Sequence, residues 1–207
     1  MVGIKQVAAL VAVGLAVSAA RPDRVRAQEG DWRISGGASQ VWFGGGAADT
    51  TGGGLRLGPS ASAAWSLEAE RRAGRVWISL ALSYLSAGLE VSGSGVSVVT
   101  DDLYMRQFEI AALVSLPIMH IGRGAEVVVS AGPALDHWSV SGADSRSRFG
   151  ALALLRLSAP ISPDWTLLAS AGGSLAGSPF EASELPAEFE PSTLWTGRAG
   201  FGVQVAF

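Results

Sequence analysis

The chain closes on Phe201-Gly202-Val203-Gln204-Val205-Ala206-Phe207, with an apolar side chain at every second position and Gly, Gln and Ala between them. Alternation of that period gives a β-strand one apolar face, because successive side chains point to opposite sides. Followed upstream, the apolar row takes in Trp195, Gly197 and Ala199. The opposite row is Thr196, Arg198, Gly200, Gly202, Gln204 and Ala206. The segment 193–207 is therefore longer than the roughly 9–11 residues a tilted strand needs to cross a bilayer.

The same alternation recurs at roughly 31–43, 54–68, 75–86, 103–116, 125–138, 148–158 and 165–175, making eight segments in all. Their apolar rows carry no charge. Examples are Leu55 to Leu67 by twos, Val76 to Tyr84, Phe108 to Leu116, Val127 to Leu135 and Phe149 to Leu157. The opposite rows are small or polar, as in Arg56, Gly58, Ser60, Ser62, Ala64, Ser66 and Glu68. Local alternation is the same for a soluble lipocalin-like barrel, with its apolar row inside, and for a membrane barrel, with that row outside. Two features favour the membrane. The second row is rich in the Gly, Ser and Ala that fit a crowded eight-strand interior. Aromatics, among them Trp32, Trp42, Trp65, Tyr84, Tyr104, Phe149, Trp165, Trp195 and Phe207, bracket the apolar rows as interfacial girdles do.

Composition agrees. Of 207 residues 27 are Gly and only 16% are charged, against roughly 25% charged and about 7% Gly in ordinary domains. A net charge of −3 and no basic run argue against nucleic acid. The absence of cysteine excludes a disulfide framework and a thiolate metal site. Lys5 followed by the uncharged run Val7 to Ala20 reads as a secretory signal peptide, with Val25 and Ala27 at the −3 and −1 places of a cleavage site. This divides the chain into a cleaved segment, 1–27, and one domain, 28–207. Beyond it no apolar run is long enough for a membrane helix, which leaves a closed barrel as the way to span lipid. Connections alternate too. Those near 69–74, 117–124 and 159–164 are short and are expected in the periplasm. Those near 44–53, 87–102, 139–147 and 176–192 are longer and are expected outside.

With its signal segment, eight amphipathic strands and terminal Phe207, the whole chain from residue 28 resembles the small OmpA/OmpX-type outer-membrane β-barrels. The resemblance implies an all-β, eight-stranded antiparallel up-and-down transmembrane barrel in the outer membrane of a diderm bacterium. It also implies that Phe201, Val203, Val205 and Phe207 are read by the barrel-assembly machinery during insertion. Outer-membrane lipids are the expected surroundings, a monomer the expected state, and no cofactor is called for.

Charged residues on the inward rows are Arg33, Arg56, Glu68, Glu109, Glu126, Asp136, Arg148, Arg156 and Arg198. Buried charges must be paired, and a near-balanced set suits a plugged polar interior. Asp136 and Arg148 are placed to meet across one hairpin. An eight-strand interior is just wide enough for side chains to fill, which disfavours a diffusion pore. The expected role is therefore structural or interactive at the cell envelope, with a narrow ion path as one alternative. His137 and Ser139 share one outward strand face, similar to the His-x-Ser pair of the lipid A deacylase barrels, which makes a lipid-modifying enzyme the other. That resemblance lacks its acid, since no Glu lies between 127 and 180, and no catalytic activity is expected. Glu181, Glu184, Glu188 and Glu190 form an acidic outer loop that could bind Ca²⁺ or bridge lipopolysaccharide cations. His120 falls in a periplasmic turn with no second metal ligand spaced for it.

Overall fold

The computed structural model describes residues 31–207 apart from 94 and 123, with the backbone alone at 101–104. The expected signal segment, 1–27, lies outside the described residues, as do the side chain of Tyr104 and the start of the mature domain at 28–30. Nine strands follow in order: β1 Trp32–Asp49, β2 Arg56–Pro59, β3 Ser62–Ala73, β4 Val76–Gly93, β5 Val96–Ile121, β6 Ala125–Val140, β7 Arg146–Pro160, β8 Trp165–Ala176 and β9 Phe189–Ala206. Each pairs antiparallel with its neighbour, and β1 pairs with β9 from Arg33↔Ala206 to Asp49↔Phe189, which closes the sheet. The ring has eight staves, because β2 and β3 share one. β1 and β4 each pair with β3 below and with β2 above.

The shared stave is broken at Pro59. Proline has no N–H for the ladder, and the strand resumes only at Ser62. Ser60 fills the gap: its N–H donates to Gly88 O (2.9 Å), and Gly88 N–H donates to Ser60 Oγ (3.0 Å). The interruption shifts the alternation by one. In β3 the even positions face in, as buried Ala64, Glu68 and Glu70 record. In β2 the odd ones do. Leu57, opposite buried Ala47, packs into the interior, and Arg56, opposite exposed Ala48, is itself exposed. Arg56 is thus not an interior charge, and Leu57 and Pro59 are not part of the outward row.

Elsewhere the apolar row faces out. Leu80 and Val114 are 53% exposed and Phe201 is 79% exposed, while Glu109 on the opposite face is 2% exposed. An apolar outer wall around a charged, buried interior is the inverse of a soluble barrel, and only lipid can cover it. Among the exposed aromatics, Trp42, Tyr84, Phe108, Phe149 and Trp195 lie toward the end with the longer connections, Trp32 and Phe207 toward the other, and Phe201 between them. The short connections are as tight as expected. Gly74 and Arg75 alone join β3 to β4, with Gly74 at φ 67°, a left-handed conformation that glycine adopts without strain. The stretch 87–102, expected as a loop, is mostly strand: β4 and β5 continue as a two-stranded ribbon past the point where β6 ends.

Candidate functional site

The lumen is filled in layers, which β5 crosses in order: Ser115, then Leu113 and Ala111, then Glu109, then Gln107 and Met105, all buried. At the Ser115 level Arg156 from β7 is surrounded by acceptors. Its Nη1 lies 3.0 Å from Glu68 Oε2 and 2.9 Å from Glu70 Oε1. Its Nη2 donates to Glu68 Oε1 (3.0 Å), Ser130 Oγ (2.9 Å) and Ser115 Oγ (3.2 Å). Gln204 Nε2 donates to the second oxygen of Glu70 at 2.9 Å. Closer to the periplasmic rim, the Arg33 guanidinium stacks 3.7 Å from the Trp77 ring centre, a cation–π contact. Glu126 stands 3.0 Å from His120 Nε2. A void of about 10 Å³ lies between Arg33, Glu70, Trp77, Arg156 and Gln204, room for about one water.

Above that network Ala111, Leu113, Ala134 and Leu152 form an apolar layer. The next layer is charged again. Arg198 sets Nη1 and Nη2 each 2.8 Å from the two oxygens of Glu109, and Ser83 Oγ donates to Oε1 at 3.1 Å. Asp136 sits opposite Glu109 on β6, buried, with no hydrogen-bond partner for Oδ1.

The outer mouth is apolar. Val41, Ala64, Leu85 and Ala87 form one cluster. Ala47, Met105, Trp138, Leu194 and Phe180 form a second, against which Phe43 and Leu57 pack. Phe180 belongs to the β8–β9 loop, which carries one 3₁₀ turn, Ala182–Glu184, and a second turn closed by Phe189 N–H to Pro186 O (2.9 Å). That loop folds over the mouth: Ser178 Oγ donates to Gly46 O (2.6 Å), and Phe180 N–H donates to Ser178 Oγ (3.0 Å). Two arginines of β7 hold it. Arg148 Nε donates to Ser178 O (2.7 Å) and its Nη2 pairs with Glu181. Arg146 pairs with Glu184, Nη1 lying 2.5 Å from Oε2. The Arg146 hydrogen bond holds the Glu184 carboxyl below the usual carboxylate range.

The closed antiparallel fold has counterparts among solved structures. Neisserial surface protein A matches 87% of this chain and 100% of its own at TM-score 0.56 and 14% identity. OprG of Pseudomonas aeruginosa matches 85% and 96% at 0.54 and 12%. Ail of Yersinia pestis, solved with the heparin analogue sucrose octasulfate, matches 87% and 100% at 0.51 and 14%. This is the fold of the small outer-membrane β-barrels. No family model matches the chain, and no curated protein matches it in sequence.

In this outer-membrane barrel the expected interior residues divide into distinct sets. Glu68 and Arg156 meet each other, and Glu109 meets Arg198. Arg33 and Glu126 line the periplasmic end. Asp136 and Arg148 are register partners, yet Arg148 turns to Ser178 and Glu181, so the expected pair across that hairpin does not form. Glu70, two residues past Glu68 on the same face, lies beyond the alternating segment 54–68 because β3 runs on to Ala73. Its period-two position was the available signal. His137 and Ser139 do face outward, but His137 Nδ1 meets Ser147 Oγ of β7 at 3.1 Å, and the residue opposite Ser139 is Arg106. Glu181 and Glu184 are taken up by the arginines, and no group of three metal-ligating side chains occurs among the described residues. Phe201 and Val203 on β9, and Phe207 just after it, are exposed.

Proposed function

We propose that this barrel is closed to solute flow and acts at the cell surface, through the open edge of its β4–β5 ribbon. The ribbon carries the reading. β6 ends at Val140 opposite Met105, so over Val96–Thr100 β5 pairs with β4 on one side and with no strand among the described residues on the other. The far edge of β4 is capped by β2. An open edge offers unpaired N–H and C=O groups, and soluble proteins usually blunt such edges with Lys, Pro or burial. Here Val96, Val98 and Val99 are exposed, and the stretch 96–104 contains neither Lys nor Pro. The partner that fits is an extended segment of another protein, adding as a strand. Replacing Leu89–Thr100 by a two-residue turn tests this on an array of extended peptides. The intact barrel should retain β-prone sequences and the shortened one should lose them. Equal retention would sink the ribbon as the site.

Outer-membrane lipids cover the apolar wall in this reading. The assembly machinery reads Phe201, Val203, Val205 and Phe207, and the barrel works as a monomer. It performs no catalytic step. A serine nucleophile needs a base within reach and an acid to orient that base. His137 is engaged with Ser147, and a cation faces Ser139 across the ladder. A narrow ion path, the second reading, would have to pass the Arg156 and Arg198 layers as well as Phe180. Lipid A of unchanged acylation in cells with and without the protein is the expected result for a non-enzyme.

A further inference from the structure

The Phe180 loop is built differently from the wall it seals. Ser178, Pro179 and Phe180 are buried, while residues 181–184 and 186–188 are exposed. The cup beneath is supplied by other strands: Ala47 from β1, Met105 from β5, Trp138 from β6 and Leu194 from β9. Phe43 and Trp138 pack edge to face, 6.1 Å between ring centres, without help from the loop. The cup therefore keeps its walls if the loop leaves. The loop is held by Phe180 and Pro179, which are buried, by Leu185 against the same cluster, by the bonds at Ser178, by Thr50, whose N–H and Oγ1 donate to Glu188 O, and by two ion pairs at the rim. The charged groups facing Glu181 and Glu184 are Arg146 and Arg148 of β7 and Asp144 of the preceding loop. Ion pairs at such a rim lose strength as salt screens them or acid protonates the carboxylates.

We propose that the 177–188 loop is a releasable stopper, with Phe180 seated in the apolar cup of the outer mouth only while Glu181 and Glu184 are charged and clamped by Arg148 and Arg146. Release exposes Met105, Trp138 and Leu194 to the outside while the ion-pair layers below keep the lumen shut. The barrel thus has a sealed and an open outer face over one unchanged wall.

The chain has no cysteine, so a single introduced thiol reports on the loop directly. Ser178→Cys places it at a buried position, and Ser183→Cys places it at an exposed one on the same loop. Each is made with and without Glu181→Gln/Glu184→Gln, reconstituted in vesicles and treated with a membrane-impermeant maleimide at neutral pH. Folding is checked by the change in gel mobility on heating. With the clamps intact, Cys labelling at 178 should be at least about tenfold slower than at 183, as a closed segment protects its residues. With both glutamines that gap should narrow to about threefold or less. Pro179→Cys repeats the buried measurement with the Ser178 bonds retained. A gap unchanged by the glutamines in a folded barrel would make the loop a fixed part of the core. No gap with the clamps intact would show that Phe180 is never seated. Either result overturns the stopper.

Discussion

Arg198 and Glu109 face each other across the lumen as a two-pronged ion pair, each guanidinium nitrogen 2.8 Å from its carboxylate oxygen. They lie 89 residues apart in the chain, on β9 and β5, which are not neighbours in the ring. The pair spans the barrel where a through-path would have to run. Forked geometry of this kind is the strong form of the charged hydrogen bond, and both side chains are largely buried.

Removing one member leaves the other as a buried, uncompensated charge. Glu109→Ala is expected to destabilise the barrel by about 3–5 kcal/mol. Replacing both, as Glu109→Leu with Arg198→Met, should recover most of that loss, because two charges are then spared desolvation. Urea unfolding in detergent micelles measures both. A double variant no better than the single would show that the pair is not an isolated unit of the interior.

The outer wall makes the opposite demand. Arg198 is accommodated because it faces in, whereas Phe201, three residues on, faces lipid and is 79% exposed. Phe201→Arg is expected to cost about 2–4 kcal/mol in a bilayer, the range for a cation on the lipid face near mid-depth. Folding yield into vesicles over a urea series reads the cost. A yield equal to that of the unaltered chain would place position 201 away from lipid.

The seam between the first and last strands is a close approach of glycines. Gly37 stands opposite Gly202, and a Cβ on Gly202 would come 2.7 Å from Gly36 O. Gly202→Val should therefore weaken closure by about 1–3 kcal/mol through overpacking, with a lower unfolding temperature of the heat-resistant form. Leu168→Val, a contraction at the β8 register partner of Gly202 that adds no atom to the seam with β1, should move that temperature less.

Two carboxylates beyond the lipid-facing wall should titrate low, Glu184 in the β8–β9 loop and Asp49 at the outer tip of β1. Glu184 is depressed chiefly by its hydrogen bond from Arg146, and Asp49 by the hydroxyl and N–H of Thr51. A depressed folded-state pKa contributes stability above the unfolded value and loses it as pH falls through the folded one. The clamp at Glu184 should thus persist at neutral pH and through the ordinary glutamate range, and fail only below it. Carboxyl chemical shifts followed by NMR over an acid titration provide the check. Midpoints at ordinary carboxylate values would contradict the bonding described here.

The wall was legible in the sequence because its rows are apolar at period two, as Ile78, Val114, Leu155 and Phe201 show. The interior was harder. Arg56 shares its segment's alternation in sequence, but Pro59 breaks the strand and turns the residue outward. Asp136 and Arg148 are register partners, and register did not reveal that Arg148 would reach the Glu181 carboxylate instead. Met105, Trp138, Phe180 and Leu194 meet from separate strands and a loop, so no local pattern announced an apolar mouth. Alternation reports the face of each strand, while side-chain pairing across a lumen depends on closure of the whole ring.

The central claim is that side chains fill this lumen from the Arg156 layer to Phe180 and leave no ion path. Planar-bilayer recording on protein whose folding is confirmed by its heat-dependent gel mobility tests it most directly. The account predicts a silent membrane at all applied voltages, both for the intact chain and for Glu181→Gln/Glu184→Gln, since releasing Phe180 leaves the Arg198–Glu109 and Arg156–Glu68–Glu70 layers in place. Discrete conductance steps from the intact, folded barrel would contradict it.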